Sequence, residues 1–150
     1  MLTKKISQVI EIRKVTTDNE LQSAFLIRTL VFVEEQNVPA EEEYDEYEKE
    51  ATHFLAFCDN IPCGTARWRF TENGIKLERF AVLKEFRGKG IGQQLVDAVL
   101  KDVKTHPQTI DKEIYLHSQL TALPLYSKFG FKQTGSKFEE CEIEHFKMIL

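Results

Sequence analysis

Between Leu77 and Leu100 the chain reads LERFAVLKEFRGKGIGQQLVDAVL: an apolar strand, a basic loop with three glycines, and an amphipathic helix that starts inside the loop. Gly88, Gly90 and Gly92 allow a tight turn with the backbone N–H groups aimed inward, and the helix N-terminus adds partial positive charge. Arg87 and Lys89 place full charges beside the same amides. Ile91, Leu95, Ala98 and Val99 recur at helical spacing and fix the helix against a sheet. Such a loop suits a phosphate or pyrophosphate. A plain tight turn is the other reading that its composition leaves open.

Two familiar phosphate loops do not fit. No Lys-Ser or Lys-Thr closes the loop, as a Walker sequence requires, and the glycines run G-x-G-x-G rather than in the dinucleotide pattern. A dinucleotide fold also places its loop after the first strand of the unit, whereas three strand-like stretches joined by hairpin signals precede this one.

The stretch does resemble motif A of the GNAT superfamily of acyl-CoA-dependent N-acyltransferases, in which Arg or Gln is followed by two residues, Gly, one residue, then Gly or Ala. Arg87, Gly90 and Gly92 match it. ALPLYSKFGF, Ala122 to Phe131, resembles the later motif of the superfamily, with its tyrosine and Gly-Phe pair. VFVEEQNVP, Val31 to Pro39, with the acidic stretch and the Ala51-Thr52-His53 step after it, is similar to the ElaA-like branch. The resemblance spans nearly the whole chain.

The surrounding pattern agrees. Val9 to Val15 alternates as a first strand, and Thr17 to Glu20 has capping-box spacing for a helix whose apolar face carries Leu21, Phe25 and Leu26. Arg28 to Gln36 continues as a second helix or a kinked extension that Pro39 stops. Thr52–Cys58, Cys63–Phe70 and Ile75–Leu83 read as three antiparallel strands joined at Asp59-Asn60 and Asn73-Gly74, the second a strong type I′ candidate. Glu113–His117 must return by a crossover and lie parallel to the motif strand. Leu123–Lys128 reads as a short helix capped by Gly130, followed by strands Phe131–Phe138 and Glu142–Leu150. The order is β-α-α-β-β-β-α-β-α-β-β, an α/β chain. The resemblance implies the GNAT acyltransferase fold, a mixed central sheet of about six to seven strands flanked by helices.

Length and hydrophobic content (150 residues, 42%) suit a single domain over residues 1–150 with a full core. No apolar run of 18 residues exists for a membrane span, and the first residues lack the h-region and cleavage site of a secretory leader, so a cytoplasmic protein without membrane association is expected. Cys58, Cys63 and Cys141 form no C-x-x-C pair, and the four histidines lack H-E-x-x-H spacing; no metal is expected. Residues 41–50 hold seven of the 24 acids and one of the 20 basic residues, so the rest of the chain carries a charge of +2. No basic stripe with interleaved aromatics suggests nucleic acid. The acidic run reads as a solvated loop, or alternatively as an attractor for a cationic amine. A calcium loop is excluded by the missing turn glycine.

The resemblance implies a division of roles. The backbone of Phe80, Ala81 and Val82 would pair with the pantetheine arm of acetyl-CoA, and Arg87, Gly88, Lys89, Gly90, Ile91 and Gly92 would hold its pyrophosphate. A bulge in the motif strand would free an amide, that of Val82, to polarise the thioester carbonyl. Tyr126 falls on the tyrosine that serves as general acid, with a packing tyrosine as the alternative. Gln119 stands where many relatives carry Asn. His145 matches a histidine of the branch suited to act as base; Glu78 and His117 are its rivals. Arg28 and Arg79 are candidates to orient an acidic group on the substrate, a surface salt bridge being the other reading of Arg28. The resemblance thus implies an N-acetyltransferase that moves an acetyl group from acetyl-CoA directly to an amine, of a small molecule or of a protein; a homodimer stays open. The alternatives are a CoA-binding sensor without turnover and a nucleotide-binding module.

Overall fold

A computed structural model describes residues 8–150. The expectation that the chain starts without a leader rests on residues 1–7, outside the described residues. One seven-stranded sheet organises the rest, in the order β1-β2-β3-β4-β5-β7-β6. Its strands are β1 (Ile10–Lys14), β2 (Thr52–Cys58), β3 (Ile61–Thr71), β4 (Gly74–Val82), β5 (Ile114–Gln119), β6 (Lys132–Glu140) and β7 (Ile143–Ile149). All neighbours are antiparallel except β4 and β5, which are parallel as the crossover through helix α3 (Ile91–Thr105) requires. The observed order of strands and helices is the one the sequence pattern gives.

Helix α1 (Asp18–Arg28) starts where the capping-box spacing places it. The Thr17 hydroxyl accepts from the Glu20 amide at 3.2 Å, and the Glu20 carboxylate reaches back to the Thr16 amide at 3.1 Å. Its buried face differs from expectation: Ala24, Ile27 and Arg28 point inward while Leu26 is exposed. The helix then widens into a π-helical stretch, Thr29–Glu35, that buries Val31 and Phe32. The expected second helix is therefore this widened continuation. Pro39 does not only stop it but also caps a further short helix, α2 (Ala40–Glu43).

Turn chemistry corrects one hairpin. Asp59 and Asn60 both have positive φ, at 50° and 68°, which makes the β2–β3 connection the type I′ turn. At the β3–β4 hairpin Thr71 pairs with Gly74, so the loop is Glu72-Asn73, and neither residue has positive φ. Gly74 carries φ +135 instead, and a Cβ there would meet the Glu113 carbonyl oxygen at 2.3 Å. The glycine is needed for close approach to β5, not for the turn. Cys141 and Glu142, at φ 50° and 64°, form a second positive-φ turn between β6 and β7 that the sequence reading did not anticipate.

The two faces of the sheet bury separate cores. Helix α3 lays Ile91, Leu95, Val96, Val99, Leu100 and Val103 on one face against Phe54, Trp68 and Leu77, together with the short helix α4 (Leu123–Ser127). At roughly 1.5–3 kcal/mol for each fully buried aliphatic side chain, this helix is held firmly. The opposite face packs Leu55, Phe57 and Ala81 against Ala24, Ile27, Val31 and Phe32. The glycine loop thus stands on a rigid base.

Candidate functional site

Strands β4 and β5 pair only through Ile75–Leu77 and Ile114–Leu116, then part, although β4 runs on to Val82 and β5 to Gln119. The parted strands open a cleft of about 690 Å³. Its walls are the ends of these two strands, the π-helical stretch, the start of α4 and the β6–β7 hairpin.

The backbone of β4 is set for this gap by a bulge. Arg67 pairs with Glu78 and Thr65 with Ala81, so Arg79 and Phe80 together face the single residue Ala66. Arg79 takes φ +60, a left-handed conformation that costs a non-glycine residue about 1 kcal/mol. The bulge reverses the alternation of the strand: Ile75 and Leu77 point to the α3 side, and beyond it Phe80 and Val82 do so, while Ala81 turns to α1. The Leu83 amide donates to the Cys63 carbonyl at 2.8 Å, and Val82 stands opposite Gly64. Since alternate residues of an antiparallel ladder bond to the partner strand, the Val82 amide is directed away from β3, toward the gap.

The loop at the head of the cleft is open. Gly88 and Gly90 have φ +80 and +81, and no atom lies within 4 Å of a Cβ built on either. No side chain caps the N-terminus of α3, so its first amides stay available. Arg87 is engaged: Nε donates to the Val82 carbonyl at 3.0 Å, and the two terminal nitrogens grip the Glu35 carboxylate at 2.6 and 2.7 Å. That hydrogen bond, aided by the paired charges, raises the Arg87 pKa and lowers that of Glu35. Lys89 reaches Gln8 at 2.7 Å, and Ile91 is buried in the core. Gln119, rather than facing the cleft freely, donates to Gln36 at 2.8 Å, joining β5 to the end of the π-helical stretch.

Tyr126 and His145 both line the cleft. Tyr126 packs edge-on against Phe80 and Phe131, and its hydroxyl makes no hydrogen bond among the described residues. Burial pushes this phenol well above its ordinary pKa, so it stays protonated through the neutral range. The His145 ring is stacked on Phe138, with Nδ1 2.7 Å from the Ile143 carbonyl. A carbonyl only accepts, so Nδ1 carries the hydrogen and Nε2 of the neutral ring keeps its lone pair. Glu140 lies between two histidines, 2.7 Å from His117 Nδ1 and 4.0 Å from His145 Nε2. The His117 hydrogen bond outweighs burial and lowers the Glu140 pKa.

The acidic stretch is not a solvated loop. It folds back over the sheet as a strap, and three of its carboxylates are engaged with arginines. Arg28, 1% exposed, donates to the Glu43 carboxylate and carbonyl and to both Glu48 oxygens. Arg67, 0% exposed, bonds Asp45, Glu48 and Glu78. Arg69 and Lys76 also meet Glu78, and Arg79 meets Glu43 and Asp45. The Arg69 guanidinium stacks on Tyr47 at 3.8 Å, and His53 Nε2 ties the strap to the sheet through the Glu48 carbonyl at 2.8 Å. Burial alone would raise the acids, but Arg67 and its neighbours pull Asp45 down to about 2 and hold Glu48 and Glu78 low as well. Glu43 is the exception, pushed up by burial in spite of Arg79 and Arg28.

Arg28 is therefore part of the support beneath the site and does not line the cleft; Arg79 does. Glu78, the rival base, is locked between three cations. Reading the residues alone missed Arg67, Asp45 and Glu48 as a network, Gln36 and Glu140 as cleft residues, and Glu35 as the partner of Arg87. One signal was present: Arg67 and Arg69 alternate along an apolar strand, where buried guanidiniums require partners. Among the described residues no group of three or more His, Cys, Asp or Glu side chains can hold a metal ion, and no helix is long and apolar enough to cross a membrane.

Comparison with known proteins gives a consistent result. Residues 16–150 match the model of the acetyltransferase (GNAT) domain. The uncharacterized N-acetyltransferase YjcF of Bacillus subtilis is 38% identical over 133 residues, covering 88% of this chain and 93% of that protein. The crystal structure of Escherichia coli ElaA superposes with TM-score 0.82 at 25% identity, covering 93% of this chain and 99% of that one. A GNAT family acetyltransferase from Elizabethkingia anophelis, with acetyl-CoA bound, shares the fold at TM-score 0.67 and 22% identity, covering 93% and 94%.

Proposed function

The chain belongs to the GNAT acetyltransferase family, on its ElaA-like branch, and from that premise we propose that it transfers an acetyl group from acetyl-CoA directly to the amine of a small molecule. The observation that carries the reading is the parting of β4 from β5, with the Val82 amide directed into the gap below an open glycine loop. The residues fit the co-substrate. The free amides of Gly88, Gly90 and the first turn of α3 suit a pyrophosphate, and Arg87 and Lys89 add charge once they release Glu35 and Gln8. Phe80 and Val82 offer main-chain groups to the pantetheine arm. Acetyl-CoA, when bound, supplies the activated acyl group, as its presence in the Elizabethkingia relative supports.

Each step of the transfer then has a residue. The Val82 amide stabilises the negative charge that develops on the carbonyl oxygen. His145 Nε2 takes a proton from the amine as the carbon–nitrogen bond forms. Tyr126 gives its proton to the sulfur as the carbon–sulfur bond breaks. With the two protons accounted for, no covalent enzyme intermediate is needed. Two of the three free cysteines are buried, which fits a reducing compartment and the cytoplasm.

The reading is tested by following free thiol release from acetyl-CoA with a panel of amines. Turnover that depends on the amine, inhibited by desulfo-CoA and not by ATP, is expected. Binding of CoA without turnover of any amine would leave a sensor module instead. Tyr126→Phe, which keeps the ring and removes the donor, is expected to lower kcat about 10²-fold with CoA affinity nearly unchanged; a wild-type rate would return Tyr126 to packing.

A further inference from the structure

The strap and the sheet leave guanidinium N–H groups without acceptors among the described residues, and these face the cleft. Five cations, Arg28, Arg67, Arg69, Lys76 and Arg79, share the carboxylates of Glu43, Asp45, Glu48 and Glu78. Arg28 and Arg67 are fully buried and take the best-placed oxygens. Arg69, Lys76 and Arg79 are left with the poorer contacts, and these three line the cleft, with side chains 13%, 18% and 23% exposed. Their donors are underused. Arg69 commits only Nε, to Glu78, so both of its terminal nitrogens lack a hydrogen-bond acceptor among the described residues. Arg79 Nε lies 3.1 Å from Glu43 but outside hydrogen-bonding alignment, and it is buried without an acceptor. Its one terminal nitrogen in use makes only long contacts, 3.2 and 3.4 Å.

Two further acids line the cleft, and neither accepts a hydrogen bond from Arg69 or Arg79 among the described residues. Glu140 is held by His117 with Lys76 near enough to lower its pKa, and Glu42 stands exposed without an ion pair among the described residues. Arg79 is also fixed in place: its left-handed backbone sits at the bulge, beside the amides assigned to the thioester arm.

We propose that the amine acceptor carries a carboxylate, taken up by Arg79 with Arg69 and Lys76, so that the substrate class is amino acids or similar amino-carboxylates. The inference rests on the acetyltransferase reading of the same cleft. It changes the sense in which the acidic stretch first reads: Glu43, Asp45 and Glu48 of the strap are spent on arginines, and the substrate meets guanidinium N–H groups that lack acceptors among the described residues. A planar fork with free N–H groups matches a carboxylate and rejects an ammonium group.

The test measures kcat/KM by thiol release for the proteinogenic amino acids and for their α-carboxamides, which keep the amine and lose the charge. The best acid is expected to exceed its own carboxamide by about 30-fold or more, and Arg79→Gln to bring that ratio below about 3, with Arg79→Lys in between. Arg69→Gln, at a side chain outside the bulge, is expected to lower the ratio too, which keeps the proposal testable if Arg79→Gln does not fold. CoA affinity, measured by calorimetry on the same variants, is expected to stay within about twofold, a result that a general loss of structure would not give. Equal turnover of acids and carboxamides, or preference for simple alkylamines, overturns this proposal and leaves the acetyltransferase reading standing. No thiol release from any amine overturns both.

Discussion

The two ends of the cleft are built from different material. At the end proposed for the cofactor the groups on offer are backbone amides: the loop through Gly88 and Gly90, the uncapped first turn of α3 and the Val82 amide at the bulge. Its one strong ion pair, Arg87 with Glu35, is exposed. At the end proposed for the acceptor the groups on offer are side chains drawn from the strap, β3, β4 and the β6–β7 hairpin, and the ion pairs beneath them are buried. Backbone groups keep their place whatever the side chains are. A charge network holds only while its partners are present, but it can be re-specified residue by residue. On the proposed function, the molecule would keep a constant grip on the acetyl donor and a changeable grip on the acceptor.

The sharpest way to break this contrast is His145. His145→Ala is expected to lower turnover about 10²- to 10⁴-fold near neutrality, with acetyl-CoA binding kept. The loss should shrink at high pH, where the amine is already neutral. If the rate persists, the base is His117 or a water chain.

Next in size is the support of the acceptor end. Arg67→Met strips a buried cation from three carboxylates and is expected to cost about 3–5 kcal/mol in denaturant unfolding. A loss below about 1 kcal/mol would mean that the network contributes little to stability. Acid offers the same test without mutation. The lowered carboxyls of Asp45, Glu48 and Glu78 contribute stability that is complete above their unfolded values near 4 and is lost as pH falls through the folded ones, about 2 for Asp45. Glu43, raised by burial, acts in the opposite sense and at higher pH: what it recovers on acidification comes as pH falls through its raised folded value and is complete below its unfolded value near 4. The wild-type melting temperature should fall from pH 4 to pH 2, and the fall should begin at higher pH in Arg67→Met, where the carboxyls lose their cation.

The smallest expected effect is at the exposed pair. Glu35→Gln frees Arg87 from its partner and should tighten CoA binding about two- to fivefold, in line with the modest worth of a surface ion pair. Weaker binding would mean that Glu35 positions Arg87 for the ligand rather than competing with it.

This contrast also explains what the sequence made legible. The loop, the helix behind it and the order of elements follow from local rules of spacing, capping and hydrophobic period, so the open loop and its helix could be read from one continuous stretch. The bulge came from the family resemblance and not from the residues themselves, because Arg79 is an ordinary strand residue until β3 pairs past it on both sides. The acidic run was misjudged for a similar reason: a row of carboxylates looks solvated until Arg28, Arg67 and Arg79, which lie 15 or more positions away in the chain, fold beneath it. Arg28 was noticed as a fork for an anion, and it is one, but the anions are Glu43 and Glu48. Gly74 marked a turn correctly while the reason for it, the nearby Glu113 carbonyl, is tertiary.

The division of labour is tested most directly by calorimetric titration of CoA into two variants, one from each end. Gly90→Asp puts a carboxylate against the loop amides; φ +81 strains the substituted residue by about 1–2 kcal/mol, but the space is open and aspartate is among the residues that visit this region, so the variant should fold. The account predicts loss of about 10²-fold or more in CoA affinity for Gly90→Asp and a wild-type isotherm for Arg79→Gln. Unchanged affinity in a folded Gly90→Asp protein, or an equal loss in Arg79→Gln, would contradict it.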